Sequence, residues 1–184
     1  KVFFGHKPEI EALYELTFQS PLILVYGASG TGKTSIIQCG LADCFRPTDW
    51  LEVFVRRRGS INNSLLYEIR NRAKREIHAD ATPLAAIESL FRDHFRPIYL
   101  IFDQFEELLI FGDEAEQNAF IATLRTIVDS DVNRKIILSI REEYIAQLQA
   151  FEAAQPTLFD HRIRIEPMGE ARLRQVIVNM CTAY

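Results

Sequence analysis

Eight residues, Gly27-Ala28-Ser29-Gly30-Thr31-Gly32-Lys33-Thr34, constrain this chain more than any other stretch. They fit G-x-x-x-x-G-K-[ST], a loop whose backbone N–H groups cradle phosphate oxygens. The apolar run Leu22–Tyr26 precedes them and a segment with helical spacing follows. A phosphate-binding loop needs that strand–loop–helix setting, because the N-terminus of the following helix adds a favourable dipole. Glycines at 27, 30 and 32 free the backbone for the tight approach. In such a loop Lys33 reaches the β- and γ-phosphates, Thr34 ligates Mg²⁺, and Ser35 continues the phosphate-binding end of the helix. A chance match in a chain of this length is on the order of one in a hundred or rarer.

The rest of the chain alternates strands and helices, which implies parallel βαβ units with right-handed crossovers. Leu22–Tyr26, Ile98–Phe102 and Ile136–Ile140 are apolar without alternation, as strands covered on both faces are. Leu51–Arg56 carries polar positions and reads as a strand nearer a sheet edge. Arg162–Glu166 alternates and reads as a half-exposed edge. Helices are expected from about Ile10, from Lys33 to Phe45, from Asn62 or Asn63 as cap through Ile77, from Pro83, from Glu114 to Ser130, over Glu143–Phe151 and from Pro167. The 184 residues suffice for one domain, with 48% hydrophobic and 25% charged residues. A net charge of −4 gives no global case for nucleic acid or an acidic membrane. Arginines between 56 and 75 form a local basic stretch, read as a solvated face. No apolar run is long enough to span a membrane. Cys39, Cys44 and Cys181 lack C-x-x-C spacing and read as thiols of a reducing compartment, so a cytoplasmic location is expected.

A second motif stands about 70 residues beyond the loop. Tyr99-Leu100-Ile101-Phe102-Asp103 is an apolar strand ending in an acid, and Asp103 is placed to hold Mg²⁺ opposite Thr34. If the chain turns helical after Asp103, Glu106 and Glu107 return to its side three and four positions on, where one can orient or deprotonate water. Arg141 follows the Ile136–Ile140 strand and can bring a guanidinium to the γ-phosphate. The loop, Asp103 and Arg141 all fall at strand C-termini, the edge where parallel sheets bind ligands. An inserted strand between those of the loop and Asp103 is typical of ATPases that activate water with an acid. No N-K-x-D is present for guanine, so the expected ligands are ATP/ADP with Mg²⁺. The fold expected is the three-layer α/β sandwich of P-loop NTPases, with a five-stranded parallel sheet in the order 5-1-4-3-2.

Phe3-Phe4-Gly5-His6, Gly27–Thr34, Asp103-Gln104-Phe105-Glu106-Glu107-Leu108 and Leu138-Ser139-Ile140-Arg141-Glu142-Glu143-Tyr144 together resemble the STAND class of P-loop ATPases, and within it the novel STAND NTPases of large bacterial signalling proteins. The resemblance implies that Phe4, Gly5 and His6 line the adenine side. It implies that Asp103 is the Walker B acid with Glu106 and Glu107 in its acidic extension, and that Arg141 is a sensor. It further implies a slowly hydrolysing ATP/ADP switch that oligomerises with ATP and works with C-terminal sensor and effector domains. The sequence departs from the family pattern at His6, where Arg is usual, and at Arg57-Arg58-Gly59, where Arg-Pro-Gly is commoner. The start at Lys1 and the end at Tyr184 within a helical pattern are read as a fragment of a longer protein, one domain over 1–184 with a helical lid beginning at about 167–184.

Gln104 stands where many related ATPases carry a catalytic Glu directly after the Walker B acid. That substitution motivates a different class of function, a nucleotide-gated oligomerisation scaffold with negligible turnover.

Overall fold

The computed structural model describes residues 6–169 and Arg174. Five parallel strands form its centre: β1 (Leu22–Gly27), β2 (Leu51–Val55), β3 (Ile98–Phe102), β4 (Arg134–Arg141) and β5 (Arg162–Arg164). Their order is β2-β3-β4-β1-β5, the expected order read from its other edge, with β4 inserted between β1 and β3. β2 and β5 are the edges, as their polar positions required. The helix expected from Pro167, and with it the start of a lid, lies outside the described residues.

Alternate side chains of the central strands feed two cores. Leu22, Leu24, Leu100, Phe102, Ile136 and Leu138 face one side. There they meet α3 (Ile61–Arg72), α4 (Pro83–His94) and α6 (Glu114–Val128) through Leu65, Ile69, Ile87, Leu90, Phe120 and Leu124. Ile23, Val25, Ile101 and Ile137 face the other side. They meet α1 (Lys7–Gln19) and the helix after the loop through Ile10, Leu13, Ile36, Ile37 and Leu41. Each such fully buried aliphatic side chain contributes about 1.5–3 kcal/mol relative to exposure. Burial on both faces is why these strands read as unbroken apolar runs.

The register positions the chemistry. Gly27 pairs with Arg141, Phe102 with Leu138 and Val55 with Phe102, so the residues that follow or end these strands emerge together at one sheet edge. The helix after the loop begins as α2 (Lys33–Ser35) and continues as a π-helical stretch, Ile36–Leu41; of the face that helical spacing predicts, Ile36, Ile37, Gly40 and Leu41 are buried and Cys44 is exposed. Single-turn π segments often accompany functional sites. The short helix expected over 143–151 is a 3₁₀ stretch, Glu142–Leu148, leading into α7 (Gln149–Ala154).

α3 departs from expectation at both ends. Neither Asn62 nor Asn63 caps it; Ser60 is the N-cap residue, without a side-chain bond. The Ile61 N–H instead donates to Glu116 Oε1 at 2.8 Å, from α6. Glu116 also takes Arg57, with Nη2 2.7 Å from Oε2. The helix stops at Arg72, and Ile77 reaches the core from beyond it. Glu116 is therefore the pin between the β2–α3 loop and α6. Glu116→Gln keeps the shape and removes the charge, and is expected to lower unfolding free energy by about 2–4 kcal/mol near neutral pH. The Arg57 guanidinium, then the Ile61 N–H, hold the Glu116 carboxyl below its ordinary value of 4.5. That stabilisation is complete above this pH and is lost as pH falls through the lowered folded value. Denaturant titrations should show the gap between wild type and variant closing in acid, and a gap constant with pH would overturn the assignment.

Candidate nucleotide site

The loop leaves β1 at Gly27, where any Cβ would fall on the carbonyl oxygen of Ile165. Gly30 and Gly32 have φ of 78° and 88°, in the left-handed region that disfavours side chains. Thr31 Oγ1 donates to the Ala28 carbonyl at 3.0 Å and fixes the turn. Lys33 Nζ donates back to the carbonyls of Gly27 and Ala28, at 2.7 and 2.8 Å, so its ammonium lies over the loop. Burial pushes the Lys33 ammonium below its usual range, opposed by nearby carboxylates with Glu106 foremost. Ser29, Gly30, Gly32, Lys33 and Thr34 line one wall of a cavity of about 250 Å³. Ser35 is exposed and is not among the lining residues.

Asp103 forms part of the opposite wall. Its N–H donates to the Val55 carbonyl at 2.9 Å, extending the β2–β3 ladder one residue past the strand. Its carboxylate accepts from Thr34 Oγ1, 3.0 Å from each oxygen. The sequence reading paired these two residues. It did not foresee Arg56, one residue past β2, which donates from Nε and Nη2 to Asp103 Oδ2 at 3.0 and 2.8 Å. The available signal was positional, since Arg56 and Asp103 each stand one residue beyond the ends of adjacent parallel strands.

Gln104 then turns the chain with φ 55°, a conformation uncommon outside glycine. The Phe105 N–H ties the turn to the Ser139 carbonyl of β4 at 2.8 Å. Helix α5 (Glu106–Phe111) therefore starts at Glu106 rather than at Asp103. This separates the two candidate acids. Glu106 is buried and lines the cavity, whereas Glu107 is half-buried and is not among the lining residues. The expectation that both could return to Asp103's side assumed a continuous helix that the turn interrupts.

Glu106 is held by Arg141. Arg141 Nε lies 3.0 Å from Glu106 Oε1, and the Arg141 N–H donates to Oε2 at 3.2 Å. Arg141 also lines the cavity, half-exposed at the end of β4. Ser139, two residues earlier, is a further lining residue that sequence reasoning missed. Its buried hydroxyl has no partner among the described residues. The signal for it was one polar residue in an apolar strand.

His6 is buried against the loop, with Nε2 3.8 Å from where a Gly32 Cβ would sit. Its Nδ1 is 3.5 Å from Glu9 Oε1. Phe4 and Gly5, expected with His6 on the adenine side, lie outside the described residues.

The donor set suits Mg²⁺ and polyphosphate. Thr34 and Asp103 offer hard oxygens that already converge, and Mg²⁺ characteristically takes one or two protein oxygens and completes its shell with phosphate and water. The glycine-rich loop and the Lys33 ammonium that line the cavity suit phosphate oxygens.

The model of a family described as novel STAND NTPase 1 matches residues 1–183. No curated protein gives a significant sequence match. Solved structures share the fold. A Walker-type ATPase of Pyrococcus abyssi aligns with TM-score 0.66 and 18% identity, over 96% of this chain and 57% of that one. The Aeropyrum pernix ORC2 protein in its ADP form aligns with TM-score 0.71 and 14% identity, over 100% and 55%. The Aeropyrum pernix ORC1 protein in complex with DNA aligns with TM-score 0.68 and 14% identity, over 99% and 50%. The chain thus spans just over half the length of the first two of these.

Proposed function

The chain belongs to the novel STAND NTPase 1 family, and from that premise we propose that it is the ATP/ADP-binding, slowly hydrolysing switch domain of a signal-transduction ATPase working in the cytoplasm. The observation that carries the reading is the convergence of Lys33, Thr34, Asp103, Glu106 and Arg141 on one cavity at the C-terminal edge of the sheet. In this reading the Gly27–Thr34 amides and Lys33 hold the phosphates. Thr34 and Asp103 would hold a Mg²⁺, which would supply positive charge against the phosphates. Glu106 orients the attacking water and accepts its proton. Arg141, released from Glu106 or sharing it, meets charge developing on the transferred phosphoryl group. His6, buried against the loop, is the described residue assigned to the adenine side in this reading. Oligomerisation with ATP, and C-terminal sensor and effector domains, are part of the proposal.

A second reading keeps nucleotide binding and drops turnover, making the domain a nucleotide-gated scaffold. Gln104 favours it, because the residue directly after Asp103 lines the cavity with an amide where a carboxylate would serve as base. Phosphate release by the full-length protein, with mass measured under ATP analogue and under ADP, separates the two. The switch requires nucleotide-dependent mass and release above the uncatalysed rate. Nucleotide-dependent mass without release favours the scaffold. No response of either kind sinks both.

DNA accompanies one structural neighbour, but the arginines of this chain's basic stretch are largely engaged. Arg56 pairs with Asp103, Arg57 with Glu116, Arg72 with Glu68 and Arg75 with Asp93, and Arg70 donates to the carbonyls of His78 and Ala79. The reading therefore has no nucleic-acid partner.

A further inference from the structure

Resting on the reading that the cavity takes a Mg²⁺-nucleotide, we propose that Arg56 is a displaceable cation, holding Asp103 until the divalent metal arrives and then leaving it. The Asp103 side chain is 1% exposed, so its carboxylate cannot rely on water for its charge. Sheet register brings Arg56 beside it, and the guanidinium spends two donors on the single oxygen Oδ2. A carboxylate oxygen has two lone-pair sites, and here both are taken while Thr34 bonds the carboxylate as well. Mg²⁺ demands near-ideal octahedral geometry at short range. It cannot share Oδ2 with a bidentate guanidinium, and at Oδ1, which accepts from Thr34, it would still face that guanidinium across one carboxylate, where the two cations repel.

The geometry also says which partner moves. Asp103 is fixed by its buried backbone and by Thr34, whereas the Arg56 side chain is 46% exposed on a long stem. Next to it lie two surface cavities, of about 370 and 290 Å³, that both include Arg56, Arg58 and Glu68. Both lie along β2 and α3, the smaller reaching Gln38 of the helix after the phosphate loop, and neither is lined by a residue of the loop itself. A guanidinium leaving Asp103 enters this groove, where Glu68 is the nearby acid, now paired with Arg72. Metal entry at Asp103 is thereby converted into a charge rearrangement on the β2 edge. Arg56 acts on the metal through Asp103, so it is a positioning residue.

The test is a calorimetric titration of ADP with Mg²⁺ and with chelator, on wild type, Arg56→Gln and Arg56→Lys. Mg²⁺ should raise ADP affinity about tenfold more in Arg56→Gln than in wild type, a typical coupling. Affinity in chelator should stay unchanged. Arg56→Lys keeps the charge without the fork and should fall between, and it carries the test if Arg56→Gln fails to fold. Independently, the Arg56 Nε–H resonance of ¹⁵N-arginine-labelled protein should persist with ADP in chelator and shift or vanish when Mg²⁺ is added. An equal Mg²⁺ effect in wild type and variants, or a resonance indifferent to Mg²⁺, overturns the proposal while leaving the nucleotide site standing. Wild type that fails to bind ADP at all removes the site reading itself, and this proposal with it.

Discussion

Lys33→Ala is expected to weaken ATP binding by about thirtyfold or more while leaving a folded domain. Two contributions have to be separated, because Lys33 serves the loop as well as the ligand. Its ammonium donates to the Gly27 and Ala28 carbonyls, and losing two such bonds to partly solvated oxygens costs about 0.5–1.5 kcal/mol each. The loop's conformation rests on more than these bonds, through Thr31 on the Ala28 carbonyl and through glycine at positions 30 and 32. The variant should therefore melt a few degrees lower and keep its secondary structure. Binding should suffer more. Among the described residues Lys33 is the one ammonium lining the cavity, and removing the partner of a desolvated charge typically costs about 2–5 kcal/mol, thirtyfold to several thousandfold in affinity. Calorimetry with Mg²⁺-ATP on wild type and variant checks this directly, with circular dichroism as the folding control. Unchanged affinity in the variant would remove Lys33 from the site.

What the sequence made legible was what local rules decide. The apolar runs of β1, β3 and β4, the loop's glycines and the acid after Phe102 each carry their own signal, because burial on both faces and φ > 0 leave marks in residue type. The helix starts expected at Pro83 and Glu114 are present, and the side-chain caps from Thr82 and Asp113 came to light with the structure. What stayed hidden depends on distant partners. The side chain that accepts from the first N–H of α3 is Glu116, 55 residues from Ile61, so no local search could supply it. Asp103's second cation became visible once β2 and β3 were in register. The turn at Gln104 is held by the Ser139 carbonyl of β4, and it decides which of two adjacent glutamates enters the cavity. The π-helical stretch after the loop kept Ile36, Ile37, Gly40 and Leu41 buried, and the departure from ordinary helical spacing lies just beyond it, at the exposed Cys44.

Glu106→Gln should leave ATP affinity within a few-fold of wild type and lower turnover by about a hundredfold or more, the usual range for a positioned general base. Both oxygens of Glu106 already face Arg141, at 3.0 and 3.2 Å. The amide can keep one acceptor towards that guanidinium or N–H, so the local packing survives. It cannot take a proton from water. Arg141 loses a charged partner but is half-exposed, so water meets its charge and the structural cost stays small beside the kinetic one. Glu107→Gln is the matched control, with its electrostatic influence felt at Arg57 and its side chain away from the cavity lining. Single-turnover phosphate release, with ATP affinity measured in parallel, distinguishes the cases. Slow release with intact affinity assigns the water to Glu106. Equal turnover in wild type and Glu106→Gln would remove Glu106 from that role, and a large loss in Glu107→Gln would transfer it to that residue. A comparable fall in affinity and turnover would make Glu106 a structural partner of Arg141, holding the end of β4 against the start of α5.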